Sequence, residues 1–200
     1  MEDAKISEQS IDWSTYQQGF FCAPNISSGF WSIELDMLEA YGMGESLILV
    51  AEPEAVVPVL KRRFPGKEIT TLPYSGIRGE GFEYDLCIPF EYPRKFDSAL
   101  CQATLEHIPR PATAIENMLR LLNPRGILVL HTVGPGSPYH RFPVDCLRFW
   151  PDFYPEVTKY LNPRCKLITL VERDHHQFAV WRRQEENYYP SAHAEDGAGE

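Results

Sequence analysis

Between Ser137 and Trp150 the chain reads SPYHRFPVDCLRFW, which sets one histidine, one aspartate, two arginines and four aromatics within fourteen residues. Histidine is the side chain best suited to take up a proton near neutral pH, so His140 is a candidate general base. Arg141 and Arg148 carry guanidinium groups that can clamp a carboxylate. Aromatics interleaved with a few ionisable groups suit the wall of a concave site, a role open to Tyr139 or Trp150. The same residues allow a structural reading, in which Asp145 pairs with Arg148 or with His140 and pins the loop. His140, Asp145 and Arg148 are the catalytic candidates.

Glu106-His107 is a second acid–imidazole pair, open to a chemical role or to one as a loop anchor. His175-His176 falls where a tight turn is expected, and exposure explains it. No two histidines have the i, i+4 spacing that a zinc-binding helix needs, so the spacing signals no metal site. The sequence holds no G-x-S-x-G, no phosphate-loop lysine motif and no dinucleotide glycine fingerprint.

These residues need elements to position them. Phe96–Cys101 and Ile127–Val133 are short apolar runs that read as buried strands. Between them Ala112, Ile115, Met118, Leu119 and Leu122 recur at helical spacing, and Asn123-Pro124-Arg125-Gly126 stops that helix. This is a strand–helix–strand unit long enough for a right-handed parallel crossover. Upstream, 31–41 reads as a helix, 47–51 as the first strand, 54–64 as a helix, 68–72 as the second strand and 82–88 as the third. Downstream, 151–160 reads as a helix, and 165–171 with 177–182 as an antiparallel hairpin. Residues 1–12 read as a loose arm, 13–31 as an aromatic loop, and 191–200 as a disordered acidic tail on a single domain of 1–190. The order of elements predicts an α/β fold, a doubly wound, mostly parallel sheet with helices on both faces and one reversed terminal strand.

Composition excludes several classes. Two hundred residues, 44% of them hydrophobic, suit one globular core. A net charge of −9 argues against nucleic acid or an anionic membrane as the partner. Five scattered cysteines without C-x-x-C signal neither a disulfide framework nor a zinc cluster. The polar start MEDAKISEQS has no signal-peptide core, and no stretch reaches the roughly 18 apolar residues of a membrane span. A cytoplasmic location is expected.

The segment FDSALCQATLEHIPRPATAIENMLRLLNPRGILVL resembles the middle of a class I S-adenosylmethionine-dependent methyltransferase of the small-molecule, type 11-like group. Phe96-Asp97, Leu105-Glu106-His107 and Asn123-Pro124-Arg125-Gly126 stand in the family's order and spacing. The resemblance implies a Rossmann-like methyltransferase fold with S-adenosylmethionine as cofactor and a small molecule as acceptor. It implies cofactor contacts at Glu52 (first turn), Asp85 and Leu86 (the adenine loop), Gln102 and His107, with 139–150 on the acceptor side. The helix at 31–41 would cover the cofactor cleft, or its aromatics pack a core edge. Asp85 can equally be a turn or cap carboxylate.

Two family features are missing. The turn after the first strand reads Ala51-Glu52-Pro53-Glu54-Ala55, with no glycine to give conformational freedom or backbone approach. The second strand ends Thr70-Thr71-Leu72-Pro73, without the acid that binds ribose. Two functions stay open: methyl transfer to a small molecule, or a protein of this fold that has lost methyl transfer and acts as a cyclase, an isomerase or a binding subunit. A homodimer or a partner enzyme is compatible with either.

Overall fold

The computed structural model describes residues 20–22, 29–72, 84–141, 144–161 and 164–185. The arm, most of the aromatic loop, the first two residues of the expected third strand and the acidic tail lie outside the described residues. A short hairpin pairs β1 (Phe20–Cys22) with β2 (Gly29–Trp31). Then come α1 (Ser32–Tyr41), β3 (Ser46–Val50), α2 (Val57–Arg63, entered through a 3-10 turn at Glu54–Val56) and β4 (Glu68–Leu72). The second half holds β5 (Phe96–Gln102), α3 (Pro111–Arg120), β6 (Leu122–Val133), α4 (Phe153–Leu161), β7 (Cys165–Arg173) and β8 (His176–Arg183).

Six strands form one sheet in the order β4-β3-β5-β6-β8-β7. The pairs β3–β4, β3–β5 and β5–β6 are parallel, and β8 runs antiparallel to both its neighbours. The expected doubly wound sheet with one reversed strand is therefore present. Strands this apolar are covered on both faces. Ile48, Val50, Ala99, Cys101, Leu128 and Leu130 pack towards Ile115 and Met118 of α3 and Tyr154 of α4. Leu47, Leu49, Leu100 and Val129 pack towards Ile33, Met37 and Leu38 of α1 and Leu60 of α2. Each such aliphatic side chain contributes about 1.5–3 kcal/mol by leaving water. The α1 helix thus packs its apolar residues into a core.

The Phe-Asp pair that opens β5 has a structural task. Asp97 Oδ2 accepts hydrogen bonds from the backbone N–H of Glu45 (2.9 Å) and Ser46 (3.1 Å) and from Ser46 Oγ–H (3.0 Å), and Oδ1 accepts from Asn123 Nδ2 (2.8 Å). Burial alone would raise this carboxyl's pKa, but these donors outweigh it and hold it low. The knot joins the starts of β3 and β5 to the segment 123–126. That segment makes an excursion inside β6, whose pairing with β5 jumps from Phe96↔Leu122 to Ser98↔Ile127.

One expected strand is not formed. Residues 84–88 are a turn, because their polar groups are satisfied locally and by α3. Asp85 Oδ1 accepts from the Cys87 N–H (2.7 Å), and Asn117 Nδ2 donates to the carbonyls of Leu86 (3.1 Å) and Ile88 (2.8 Å). By contrast the expected terminal hairpin forms. Asp174 and His175, at φ 49° and 67°, make the two-residue turn whose twist matches that of its strands. Among the described residues no helix is long and apolar enough to cross a membrane.

Candidate functional site

The carboxyl ends of the parallel strands β3, β5 and β6 meet at one edge, where open α/β sheets form their crevice. At the end of β3, Ala51 adopts φ +64°, the left-handed conformation that favours glycine. Its N–H donates to the Leu72 carbonyl (2.6 Å), tying the turn to β4. The turn thus keeps a glycine-type conformation with an alanine in place. Glu52 follows and is buried. At the end of β4 stands Leu72, an apolar core residue where the family carries an acid.

At the end of β5, Gln102 is buried and its carbonyl accepts from Thr104 Oγ1–H (2.7 Å). Ala103, at φ +41°, turns the chain into a 3-10 turn at Leu105–His107, anchored by buried Leu105 and Ile108. Glu106 ends up 0% exposed, and neither of its carboxylate oxygens accepts a hydrogen bond among the described residues.

The loop after β6 docks on this turn. The Glu106 carbonyl accepts from the N–H groups of Cys146 (2.8 Å) and Leu147 (3.0 Å), and Phe149 N–H donates to the Val133 carbonyl (3.0 Å). His107 Nδ1–H donates to the Val144 carbonyl. The docking sets Glu106 Oε1 at 3.5 Å from His140 Nε2 and 3.9 Å from His107 Nε2, with the two imidazoles edge-to-face at 5.0 Å. The structure therefore unites Glu106, His107 and His140, which the sequence held in two separate motifs.

Asp145 and Arg148 pair with each other within the loop. The Asp145 side chain, 1% exposed, accepts from the His140 N–H (2.7 Å), from Arg148 Nη2 (2.7 Å) and from Arg148 Nη1. Arg148 also donates to the carbonyls of Pro138 (2.9 Å), Leu147 (2.7 Å) and Ser137 (3.4 Å). The Arg148 guanidinium, helped by the His140 N–H, holds the Asp145 carboxyl well below the usual carboxylate range. These bonds lie inside the loop, and the one from the His140 N–H ties Asp145 to the backbone beneath that imidazole. Tyr139 (72% exposed) and Trp150 (65% exposed) do not form an enclosed wall.

Of the expected cofactor contacts, Asp85 is exposed with one oxygen committed to Cys87, and Leu86 is a core residue whose carbonyl is taken by Asn117. Three acids gather around the end of β5. Burial pushes the Cys101 thiol pKa far up, Thr104 counters it, and the charges of Glu52, Glu106 and Glu34 push it further.

Sequence reasoning missed a second network. His131, inside apolar β6, places Nδ1 2.8 Å from Glu34 Oε1 and Nε2 2.9 Å from His176 Nδ1, and stacks on Phe178 (4.6 Å). Burial lowers the pKa of both rings to about 4, for His176 with the neighbouring His131 as the next cause. The available signal was Glu34 itself, an acid flanked by Ile33 and Leu35 in an apolar helix. His176, expected to be exposed in the turn, is partly buried as the first residue of β8.

Sheet order, reversed strand and strand-end crevice define the Rossmann-like methyltransferase fold. Residues 44–130, from before β3 into β6, match the family model described as "Methyltransferase domain". Solved structures share its fold. The sugar N-methyltransferase KedS8 from Streptoalloteichus sp ATCC 53650 is 16% identical at TM-score 0.58, covering 77% of this chain and 86% of its own. The [4+2]-cyclase SpnF is 14% identical at TM-score 0.58, covering 84% and 87%. The 1,6-didemethyltoxoflavin-N1-methyltransferase of Burkholderia thailandensis, solved with its substrate and S-adenosylhomocysteine, is 15% identical at TM-score 0.56, covering 76% and 77%. No curated protein matches the chain.

Proposed function

We propose that the protein transfers a methyl group from S-adenosylmethionine to a small-molecule acceptor bound between the end of β5 and the loop 137–150. The observation that carries this reading is the left-handed Ala51 turn at the end of β3, inside the segment that matches the methyltransferase domain. S-adenosylmethionine supplies an electrophilic methyl on a sulfonium cation. Glu52 and Gln102 would border its methionine end, and the exposed carboxylate of Asp85 would meet the adenine amino group, with Leu86 packing beneath. His107 and His140 would face the acceptor. His140 Nε2 would take the acceptor's proton, and Glu106, 3.5 Å away, would balance the charge that forms on the ring. Asp145 and Arg148 hold the His140 backbone in place. Without an acid at Leu72, the ribose has a weaker anchor than in the family, so cofactor affinity is expected to be low.

Calorimetry with S-adenosylhomocysteine tests the reading first, followed by methyl transfer to a panel of hydroxylated and amino acceptors. His140→Ala should then lower turnover by about 10²–10⁴-fold with an unchanged melting temperature. No heat of binding at millimolar S-adenosylhomocysteine would sink it. A second reading, cyclase or isomerase chemistry without methyl transfer, is favoured by the missing acid at Leu72 and by the fold shared with SpnF. It expects cofactor binding without transfer to any acceptor.

A further inference from the structure

We infer that Glu106, His107 and His140 form a binding site for one divalent transition-metal ion, with zinc the best fit. The inference deepens the reading above by assigning the acceptor side of the crevice a metal that would hold an acceptor oxygen; it rests on that reading only for its purpose.

The first observation is which nitrogen of each ring faces the cluster. His107 Nδ1–H is held by the Val144 carbonyl, and His140 Nδ1 lies 3.3 Å from the Pro138 carbonyl. A carbonyl only accepts, so each bond places the proton on Nδ1 and leaves a lone pair on Nε2. Both Nε2 atoms turn to the same oxygen, Glu106 Oε1, at 3.9 and 3.5 Å. Three acceptors thus converge with no proton between them, and a bound cation removes that repulsion. Metal-ligating histidines are oriented in this way, through the other ring nitrogen bonded to a carbonyl.

The second observation is Glu106 itself. A carboxylate with no exposure and no hydrogen bond among the described residues is expensive unless paired or coordinated. The 3-10 turn and the docked loop fix it there regardless.

The third is the spacing. One ligand atom from each residue lies within 4.8 Å of the others. Ligand atoms about 2.0–2.1 Å from a tetrahedral zinc stand about 3.3–3.5 Å apart; His140 Nε2 already lies 3.5 Å from Glu106 Oε1, and small side-chain rotations that draw His107 Nε2 in from 3.9 Å complete the set. Two imidazoles and one carboxylate form the three-ligand pattern of sites that keep a coordination position open, and two nitrogen donors disfavour magnesium and calcium. The His140 side chain is 41% exposed, so the open position is reachable by a small oxygen-bearing molecule. A bound hydroxyl there would be acidified and would pass its proton to solvent at the open position, so that His140 would no longer be needed as the base of the first reading. Position by position, the chain never shows this site, because His140 arrives from a loop more than thirty residues away.

The test uses the full chain, stripped with chelator, with zinc and cobalt(II) salts and no S-adenosylmethionine. Calorimetry and metal analysis should give one zinc per chain. Cobalt(II) should give the visible bands of a four- or five-coordinate nitrogen/oxygen site without a thiolate band. Glu106→Gln and His140→Ala should each weaken zinc by at least about 100-fold and abolish the rise in melting temperature that zinc gives the native chain. Asp145→Asn, which loosens the loop behind His140, should weaken it by about 10-fold. His175→Gln and Cys146→Ser should leave it unchanged. Absence of stoichiometric zinc overturns the inference and leaves a proton-bearing Glu106–His140 pair. Unchanged affinity in Glu106→Gln and His140→Ala, or loss in Cys146→Ser, overturns it in favour of adventitious ligands. Because the cofactor is absent throughout, failure here is separate from failure of S-adenosylhomocysteine binding.

Discussion

Asp145→Ala removes the staple that holds the 137–150 loop. Its side chain is 1% exposed and accepts two bonds from Arg148 and one from the His140 N–H. Breaking a fully buried ion pair costs about 3–5 kcal/mol, and a hydrogen bond to a charged group is worth about 1.5–3 kcal/mol net. Arg148, at 22% side-chain exposure, can be rehydrated and keeps its carbonyl acceptors, so the loss falls to about 2–3 kcal/mol. For a chain of this size that is a drop of about 5–10 °C in melting temperature, read by calorimetry at pH 7. The effect has a pH signature. Because the folded-state pKa of Asp145 is depressed, its contribution is complete above the unfolded value of about 4 and is lost as pH falls through the folded one. The gap between native and Asp145→Ala chains should therefore hold from pH 8 to 5 and narrow below about 4. A melting temperature within about 2 °C of native, or a gap that does not shrink in acid, would refute the staple.

Three more outcomes follow from the same geometry. With His131 and His176 lowered to about 4 by burial, and unfolded rings titrating near 6.5, the unfolded chain binds more protons between these values. Stability in urea should thus be intact above about pH 6.5 and decline towards pH 4, and His176→Gln should flatten part of that slope; a profile already flat in the native chain contradicts it. Ala51→Gly should relieve a left-handed alanine worth about 1–2 kcal/mol against about 0.5–1 kcal/mol of added chain entropy, for a net gain of up to about 1 kcal/mol and tighter S-adenosylhomocysteine binding. Lower stability on thermal melting would count against the turn as described. Gly136→Ala sets a Cβ 2.5 Å from His175 Nδ1 at φ +93°, whereas Gly66→Ala at φ +83° meets nothing within 4 Å. Each should cost about 1–2 kcal/mol for a left-handed alanine, because the exposed His175 ring can swing away from the new Cβ, so an unchanged melting temperature in either would refute the left-handed turn there.

The fold was legible because its strands are continuous apolar runs separated by glycine and proline, and a parallel sheet buried on both faces requires that pattern. The failure at 82–88 has a local cause: Asp85 and Asn117 take up the polar groups that a ladder would use, and no periodicity reveals a side chain reaching over from another helix. In the sequence Asp97 is only part of the family-like Phe-Asp pair, and the fold shows that it knots two strand starts together. At the site, the loop's chemistry was legible but its division of labour was not. Asp145 and Arg148 share one loop with His140, and whether an ionisable group faces a ligand or its own backbone depends on the path of the chain.

Burial of acids explains why the site lies where it does. Glu34 Oε1 has a polar neighbour inside the core, His131 Nδ1 at 2.8 Å, on a ring whose pKa burial has lowered to about 4. Glu106, equally buried, has two imidazole nitrogens near one oxygen and no hydrogen bond on either. A fold that needed only stability would replace such a carboxylate with an apolar residue, since an uncompensated buried charge is destabilising. Glu106 instead sits on a turn that docks the 137–150 loop by its own carbonyl, so the backbone fixes the charge in place. A buried carboxylate of this kind calls for a compensating positive charge, which one of its two neighbouring rings, a metal ion or a cationic cofactor would supply. On the proposed reading the chemistry therefore sits at Glu106 and His140, while the arginine made conspicuous by the sequence, Arg148, bonds within its own loop.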